Sequence, residues 1–154
     1  TMPISLMSRS LATSVFKDFT TYERIPLKLN FVNFLWLVGA GMVLVLLSDF
    51  LIVKIFTGKY LDALTVVPLL TLATIFTGLN QLYHGFLMAH RQGQYVRNMS
   101  IASSSVNVIG NVVLIQEFGL KGAALSAVLT YVLNYVMNLY YYQKTVNALM
   151  AVQA

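Results

Sequence analysis

Residues 99–142 read MSIASSSVNVIGNVVLIQEFGLKGAALSAVLTYVLNYVMNLYYY, two apolar runs joined by the short link QEFGLKG at 116–122. The first run, residues 99–115, has no charged side chain, and the second has none over the 20 residues from Ala123 to Tyr142. A helix needs roughly 20 apolar residues to cross the ~30 Å hydrocarbon core of a bilayer. The stretch therefore predicts a transmembrane helical hairpin with spans at 99–115 and 120–142.

Polar residues of the first run share one face of the predicted helix. At 3.6 residues per turn they fall within a sector of roughly 100°. They are Ser100, Ser103, Ser104, Asn107 and Asn111. Such a face is unfavourable against lipid. Asn107 and Asn111 are therefore candidate substrate-binding residues in a wet cavity, and helix packing alone is the alternative explanation.

The second run carries a row of small and polar residues at four-residue spacing. The row consists of Gly122, Ser126, Thr130, Asn134 and Asn138. Because a straight helix turns such a row by roughly 40° per step, the row is typical of a close helix crossing and not of one fixed pore face. Tyr140, Tyr141 and Tyr142 with Lys144 predict an aromatic belt and its basic edge at the membrane surface.

The composition places the whole chain in the membrane class. Of its 154 residues 58% are hydrophobic and 10% are charged, against roughly 45–50% and ~25% in a soluble domain. Cysteine is absent, which excludes disulfides and thiolate metal sites. The chain opens with Thr1-Met2-Pro3 inside an apolar run, without the basic region or cleavage site of a signal peptide. We expect it to be a fragment of a longer protein.

Further spans are predicted at 2–16, truncated, and at 29–50 and 65–89. Pro26 suits the start of the helix that follows it, the charged segment 49–62 has an interfacial pattern, and the basic segment 90–98 is expected to be a loop. The prediction is an all-α polytopic transmembrane bundle of about four full spans plus one truncated N-terminal helix. It forms one domain over 1–145, and 146–154 is a C-terminal tail.

Two ionisable residues inside predicted spans are functional candidates. Arg9 either faces a bundle interior or extends to the interface. His84 lies beside a polar stripe that includes Gln81, so it is a candidate for gating or proton relay, with a hydrogen-bonded interfacial histidine as the alternative. Gln81 itself is a candidate substrate-binding residue.

Lysine and arginine positions predict the orientation. One side of the membrane receives Arg9, Lys17, Arg24, Lys28, Arg91, Arg97 and Lys144, and the other receives Lys54, Lys59 and Lys121. The positive-inside rule places the richer side, and the C-terminus, in the cytoplasm. The net charge of +5 is then explained by topology and anionic lipid, without nucleic acid.

Several short motifs resemble the C-terminal half of polysaccharide flippases. They are FTGKY at 56–60, GLKGAA at 119–124, the pair Asn107 and Asn111, and PIS at 3–5 with Arg9. These flippases belong to the multidrug/oligosaccharidyl-lipid/polysaccharide exporter superfamily. The resemblance implies a two-lobed helical transporter with a central cavity. It would flip an undecaprenyl-pyrophosphate-linked sugar unit across the inner membrane by alternating access, alongside polysaccharide polymerase and assembly enzymes.

A diphosphate in a membrane cavity requires fixed positive charge, so Arg9 is the leading candidate for the substrate head group, with Arg91 and Arg97 as lesser ones. A cation-coupled multidrug exporter is one alternative, but the acids Asp18, Glu23, Asp49, Asp62 and Glu117 all lie at span boundaries. A membrane scaffold subunit and a membrane enzyme are alternatives from other classes. No catalytic motif or paired intramembrane acid is present, so we expect no enzyme activity, cofactor or metal.

Overall fold

The computed structural model describes residues 24–55 and 65–153, together with residues 10, 13 and 14. These residues form three long helices and no strand: α1 (Leu27–Ile55), α2 (Val67–Ala89) and α3 (Gly93–Gln153). All three are long and apolar enough to cross a membrane. The predicted all-α class is confirmed, whereas the count of about four spans is not. The predicted partial span at 2–16, with Arg9, falls outside the described residues except for those three positions.

Helix α1 begins directly after Pro26, as predicted. The Pro26 carbonyl accepts hydrogen bonds from the backbone N–H groups of Leu29 and Asn30, at 3.0 and 3.2 Å. A proline at this place loses no helical hydrogen bond, because the first N–H groups of a helix have no internal partner. The helix continues to Ile55, into the segment predicted to lie along the interface.

Helix α2 lies in the middle and packs against both α1 and α3. Its predicted bounds, 65–89, differ from the observed ones only at the first turn, where Thr65 and Val66 precede the helix. The hydroxyls of Thr71, Thr74 and Thr77 donate to the carbonyls four residues earlier at 2.8–2.9 Å. These threonines satisfy their own polar groups, which lets α2 be buried among apolar neighbours.

The link between α2 and α3 is shorter than the predicted loop 90–98. Only residues 90–92 are non-helical, and α3 begins at Gly93. The N–H of Gln92 donates to the Leu87 carbonyl at 2.9 Å and that of Arg91 to Met88 at 3.1 Å. This is the bond pattern of a Schellman motif. It requires a left-handed residue, here Arg91 with φ 57°. Because the motif satisfies the last carbonyls of α2 within three residues, no longer loop is needed.

Helix α3 contains a break at Gly119, whose φ of 55° and ψ of −130° are not helical. A straight helix of 61 residues would be roughly 90 Å long, about three times the hydrocarbon thickness. The two arms, 93–118 and 120–153, instead fold back on each other. Tyr95 stacks on Tyr141 with ring centroids 4.5 Å apart, and the Asn107 amide donates to Thr130 at 3.3 Å. The arms are therefore antiparallel, which agrees with the predicted hairpin.

The second arm continues to residue 153, into the segment 146–154 that was predicted to be a tail. Residues 146–153 are helical, and Val146 is buried with Leu82 and Phe86 of α2 and with Ile25. Leu149 and Met150 pack against the same cluster. Val146, Leu149 and Met150 continue a helical apolar stripe, so burial holds this part in the bundle. Tyr142, predicted for the surface belt, also packs on this cluster.

Candidate functional site

The hairpin contains a chain of polar contacts around Asn107. Its Nδ2 donates to the Thr130 hydroxyl, its Oδ1 accepts from Asn111 Nδ2 at 3.0 Å, and its backbone carbonyl accepts from the Ser126 hydroxyl at 3.2 Å. Ser103, one turn earlier, is buried. This part of the predicted polar sector faces the second arm, which is the geometry of helix packing. The substrate role of Asn107 and Asn111, both half-buried, stays a prediction.

The small residues at the hairpin allow its arms to approach closely. A Cβ on Gly122 would meet the Leu114 carbonyl group, and one on Gly110 would lie 2.6 Å from Ser126 Oγ. Membrane helices use small residues in this way because van der Waals packing and hydrogen bonds between helices replace the hydrophobic driving force that lipid does not supply.

A second polar cluster joins α2 to the second arm. Asn138 Nδ2 donates to Asn80 Oδ1 at 3.2 Å and lies 2.8 Å from Asn134 Oδ1 and 3.0 Å from the Asn134 carbonyl. Asn80 Nδ2 donates to the Tyr131 carbonyl at 3.4 Å. Asn138 is 1% exposed and Asn80 is 7% exposed. We call Asn80, Asn134 and Asn138 the amide cluster.

The amide cluster was not selected as a site from the sequence, although its signal was present. In the four-residue row of the second arm, Ser126 and Thr130 contact the first arm, whereas Asn138 contacts Asn80 of α2. The drift of such a row around a helix explains this change of partner. The missing information was which helix the row turns toward.

Gln81 and His84 are less buried than Asn80 of the amide cluster, although His84 lies one turn after Asn80 on α2. Gln81 is half-buried and His84 is exposed. Among the described residues, no group forms a hydrogen bond with the His84 ring; the gating or proton-relay role and the alternative of a hydrogen-bonded interfacial histidine both stay predictions. The nearby His90 instead has its Nδ1 at 3.0 Å from the Phe86 carbonyl. The structure does not bring Gln81 and His84 together with Asn107 and Asn111.

Basic residues gather at one end of the bundle. Arg91 lies in the link between α2 and α3, Arg97 is exposed one turn into the first arm, and Lys144 Nζ is 5.3 Å from the Tyr95 ring. Arg24 contacts Met150 at this same end. Glu117, next to the Gly119 break, lies at the far end of the first arm. The end predicted to be cytoplasmic is thus also the basic end of the described residues.

An open groove of about 530 Å³ runs between α1 and α2. Its lining is apolar, with Val38 and Met42 on one helix and Leu72 and Ile75 on the other. Such a surface suits hydrocarbon, not sugar or phosphate. In the residues that the structure describes, no three histidine or acidic side chains come together as metal ligands. The polar chemistry of their interior is therefore that of neutral amides and hydroxyls.

Comparison with protein-family models, with curated proteins and with solved structures found no match to this chain. The resemblance to polysaccharide flippases accordingly stays a hypothesis that rests on the motifs quoted above.

Proposed function

We propose that this chain works in a membrane transporter that flips a lipid-linked oligosaccharide, an undecaprenyl-pyrophosphate-linked repeat unit, across the inner membrane for surface polysaccharide synthesis. The observation that carries the proposal is the polar face of α2 around His84, which is exposed, and Gln81, which is half-buried. Gln81 and His84 lie there on a helix that is otherwise the most enclosed of the three.

Polar side chains at membrane depth are costly against lipid, and they usually face protein or a water-filled cavity. Neither α1 nor α3 covers His84. A wet cavity beside α2 accounts for this face. Such a cavity is what a transporter of a hydrophilic sugar head group requires, and a scaffold subunit has no need of it.

The hairpin supports four membrane crossings: α1, α2 and the two arms of α3. Each arm exceeds the roughly 20 residues that a span needs. Four crossings return the chain to its starting side, which agrees with the contact between Arg24 and Met150 at one end. The basic end is then cytoplasmic by the positive-inside rule, and so is the C-terminus.

The cytoplasmic end is also where a newly made lipid-linked sugar diphosphate would enter. Arg91 and Arg97 are exposed there and available to an anionic head group. Arg9 keeps its proposed role as the main contact to the diphosphate. The exporter alternative gains no support, since Glu117, an acid whose side chain is described, is exposed at the hairpin turn.

The test uses bacteria whose own polysaccharide flippase is deleted. We expect the full-length protein to restore surface polysaccharide, and the double change Gln81→Leu and His84→Leu to lower the yield at least tenfold at equal protein abundance. Ser105→Leu makes a similar polar-to-apolar change at an exposed position of the first arm and should leave the yield unchanged.

A polysaccharide yield in the double variant equal to that of the wild type would show that α2 does not line the transport cavity. Failure of the unmodified protein to restore polysaccharide, together with efflux of a cationic dye, would identify a multidrug exporter instead.

A further inference from the structure

The two arms of α3 meet in a group of aromatic and basic side chains at the basic end of the bundle. Tyr95 of the first arm stacks on Tyr141 of the second, with ring centroids 4.5 Å apart and ring planes 15° from parallel. Tyr140 packs edge-on against Tyr141 at 5.3 Å, and Lys144 Nζ lies 5.3 Å from the centre of the Tyr95 ring. We call Tyr95, Tyr140, Tyr141 and Lys144 the tyrosine–lysine patch.

The patch lies on the side of the second arm that faces away from α2. Tyr142 and Val146 of this arm pack in the cluster that contains Phe86 of α2. Tyr140 and Lys144 are four residues apart, so they share a helix face, and that face is roughly opposite to the one that carries Tyr142 and Val146. Tyr140 is 61% exposed, and Lys144 is exposed as well. No helix among the described residues covers this side.

The polar groups of the patch have no partner within the part of the chain that the structure describes. Its three tyrosine hydroxyls form no hydrogen bond there, whereas the inward-facing Tyr142 hydroxyl accepts from the Ile25 N–H at 3.1 Å. No described carboxylate pairs with Lys144, and Glu117 lies at the far end of the hairpin. An ammonium group over an aromatic face keeps N–H donors that point away from the ring. The patch therefore presents a cation and hydroxyl donors to a ligand.

Exposed apolar side chains continue from the patch toward the middle of the second arm. Val136 and Leu129 are 55% and 54% exposed, and their spacing of four and eleven residues from Tyr140 places them on the same helix face. Lys144 follows directly after the apolar run that ends at Tyr142, which is the level of the lipid head groups. The face is thus basic and hydrogen-bonding at its end and apolar below, in the order of a phospholipid head group and acyl chain.

We propose that the tyrosine–lysine patch binds the phosphate of an anionic phospholipid whose acyl chain lies along Val136 and Leu129. The Lys144 ammonium pairs with the phosphate, the Tyr95 ring holds that ammonium in place, and the tyrosine hydroxyls donate to head-group oxygens. A lipid is favoured over free phosphate, because a free ion would leave the apolar part of the face uncovered. The inference does not rest on the proposed flippase function, because the patch faces away from α2 and binding is measured without transport.

The experiment titrates dioctanoyl phosphatidylglycerol into the purified full chain in a neutral detergent and measures the unfolding temperature at each lipid concentration. A ligand that binds only the folded state raises this temperature. We expect a saturable rise with phosphatidylglycerol and a much smaller one with dioctanoyl phosphatidylcholine, whose choline cation is repelled by Lys144. Inorganic phosphate tests the free anion and should leave the unfolding temperature unchanged.

Variants locate the binding in the patch. Lys144→Gln should raise the phosphatidylglycerol concentration at half effect by roughly tenfold, through loss of a charge-assisted contact, and Lys144→Arg should restore most of the response. Lys28→Gln is the matched control, because it removes the same charge at an exposed position of α1 at the same end, and it should keep the wild-type value. Tyr95→Leu keeps the charge but removes the ring beside it, so it should raise the half-effect concentration by roughly two- to fivefold.

Equal responses to phosphatidylglycerol and phosphatidylcholine overturn the proposal, and so does an equal response to inorganic phosphate. Equal losses in Lys144→Gln and Lys28→Gln would mean that the basic end attracts anionic lipid in general, which also overturns a site at the patch. If Lys144→Gln does not fold, Tyr95→Leu decides: a half-effect concentration equal to that of the wild type contradicts the proposal.

Discussion

Replacing Gly122 by alanine should open the hairpin of α3. The added methyl group would meet the carbonyl group of Leu114 and lie 2.9 Å from the Ile115 nitrogen. Both neighbours are backbone atoms, which cannot move aside by a change of rotamer. The two arms must therefore separate at this crossing.

The expected cost combines three terms. Overpacking costs typically about 1–3 kcal/mol, and the two interhelical bonds of Asn107 that weaken are each worth about 0.6 kcal/mol in a membrane. The higher helix propensity of alanine adds about 1 kcal/mol to the stability and offsets part of this loss. The free energy of unfolding should thus fall by about 1–3 kcal/mol.

Gly39→Ala is the matched control, because a Cβ built on Gly39 in the middle of α1 has no described atom within 4 Å apart from the helix's own backbone. This variant should be neutral or more stable by up to about 1 kcal/mol. The assay is reversible unfolding in mixed detergent micelles, with both variants measured against the wild type. A Gly122→Ala protein as stable as the wild type, or an equal loss in both variants, would refute the close-approach argument.

Three further predictions follow from the links between helices. Gly119→Ala should lower the free energy of unfolding by about 1–3 kcal/mol, because φ 55° with ψ −130° is strained for any L side chain; an unchanged unfolding curve would count against the turn geometry. Arg91→Gly should raise the free energy of unfolding by about 1 kcal/mol, because it relieves the left-handed strain at φ 57°; Gln92→Gly serves as control, and a loss of stability in Arg91→Gly would contradict the prediction. In this cysteine-free protein, a cysteine at Glu117 should react with an impermeant thiol reagent in intact cells, whereas one at Gln92 should react only after permeabilisation; the reverse pattern would overturn the orientation.

The hairpin and the start of α1 were readable from the sequence because both depend on local signals. Two uncharged apolar runs around a glycine-containing link predict a helix pair by length alone. Pro26 marks a helix start through its missing N–H group. Neither prediction required knowledge of what packs against what.

Helix ends were predicted less well, because hydropathy reports depth in the membrane and not where helical hydrogen bonding stops. Arg97 and Asn98 are polar, yet they lie in α3. The left-handed Arg91 that makes the link so short carries no glycine signal in the sequence. The apolar stripe that Val146 begins has few residues, so the sequence did not distinguish this buried helical segment from a terminal tail.

The amide cluster could not be predicted from the sequence, because it depends on how two helices pack. Asn80 and Asn138 are both visible as polar residues in apolar runs, but their pairing follows from how the second arm rotates against α2. The predicted candidates at Asn107 and Asn111 came from a stripe on one helix. A stripe shows that lipid is excluded, and it does not distinguish a wet cavity from a neighbouring helix.

The partnership of Asn80 with Asn138 has a consequence for biogenesis. The two residues are 58 positions apart in the chain, so at about 5–20 residues per second a ribosome makes Asn138 roughly 3–12 s after Asn80. When α2 enters the membrane before Asn138 is made, its Asn80 amide has no partner there. We therefore expect α2 to stay beside the insertion machinery until the second arm emerges. Synthesis of Asn138 would then set the earliest time at which α2 can pack fully against the second arm.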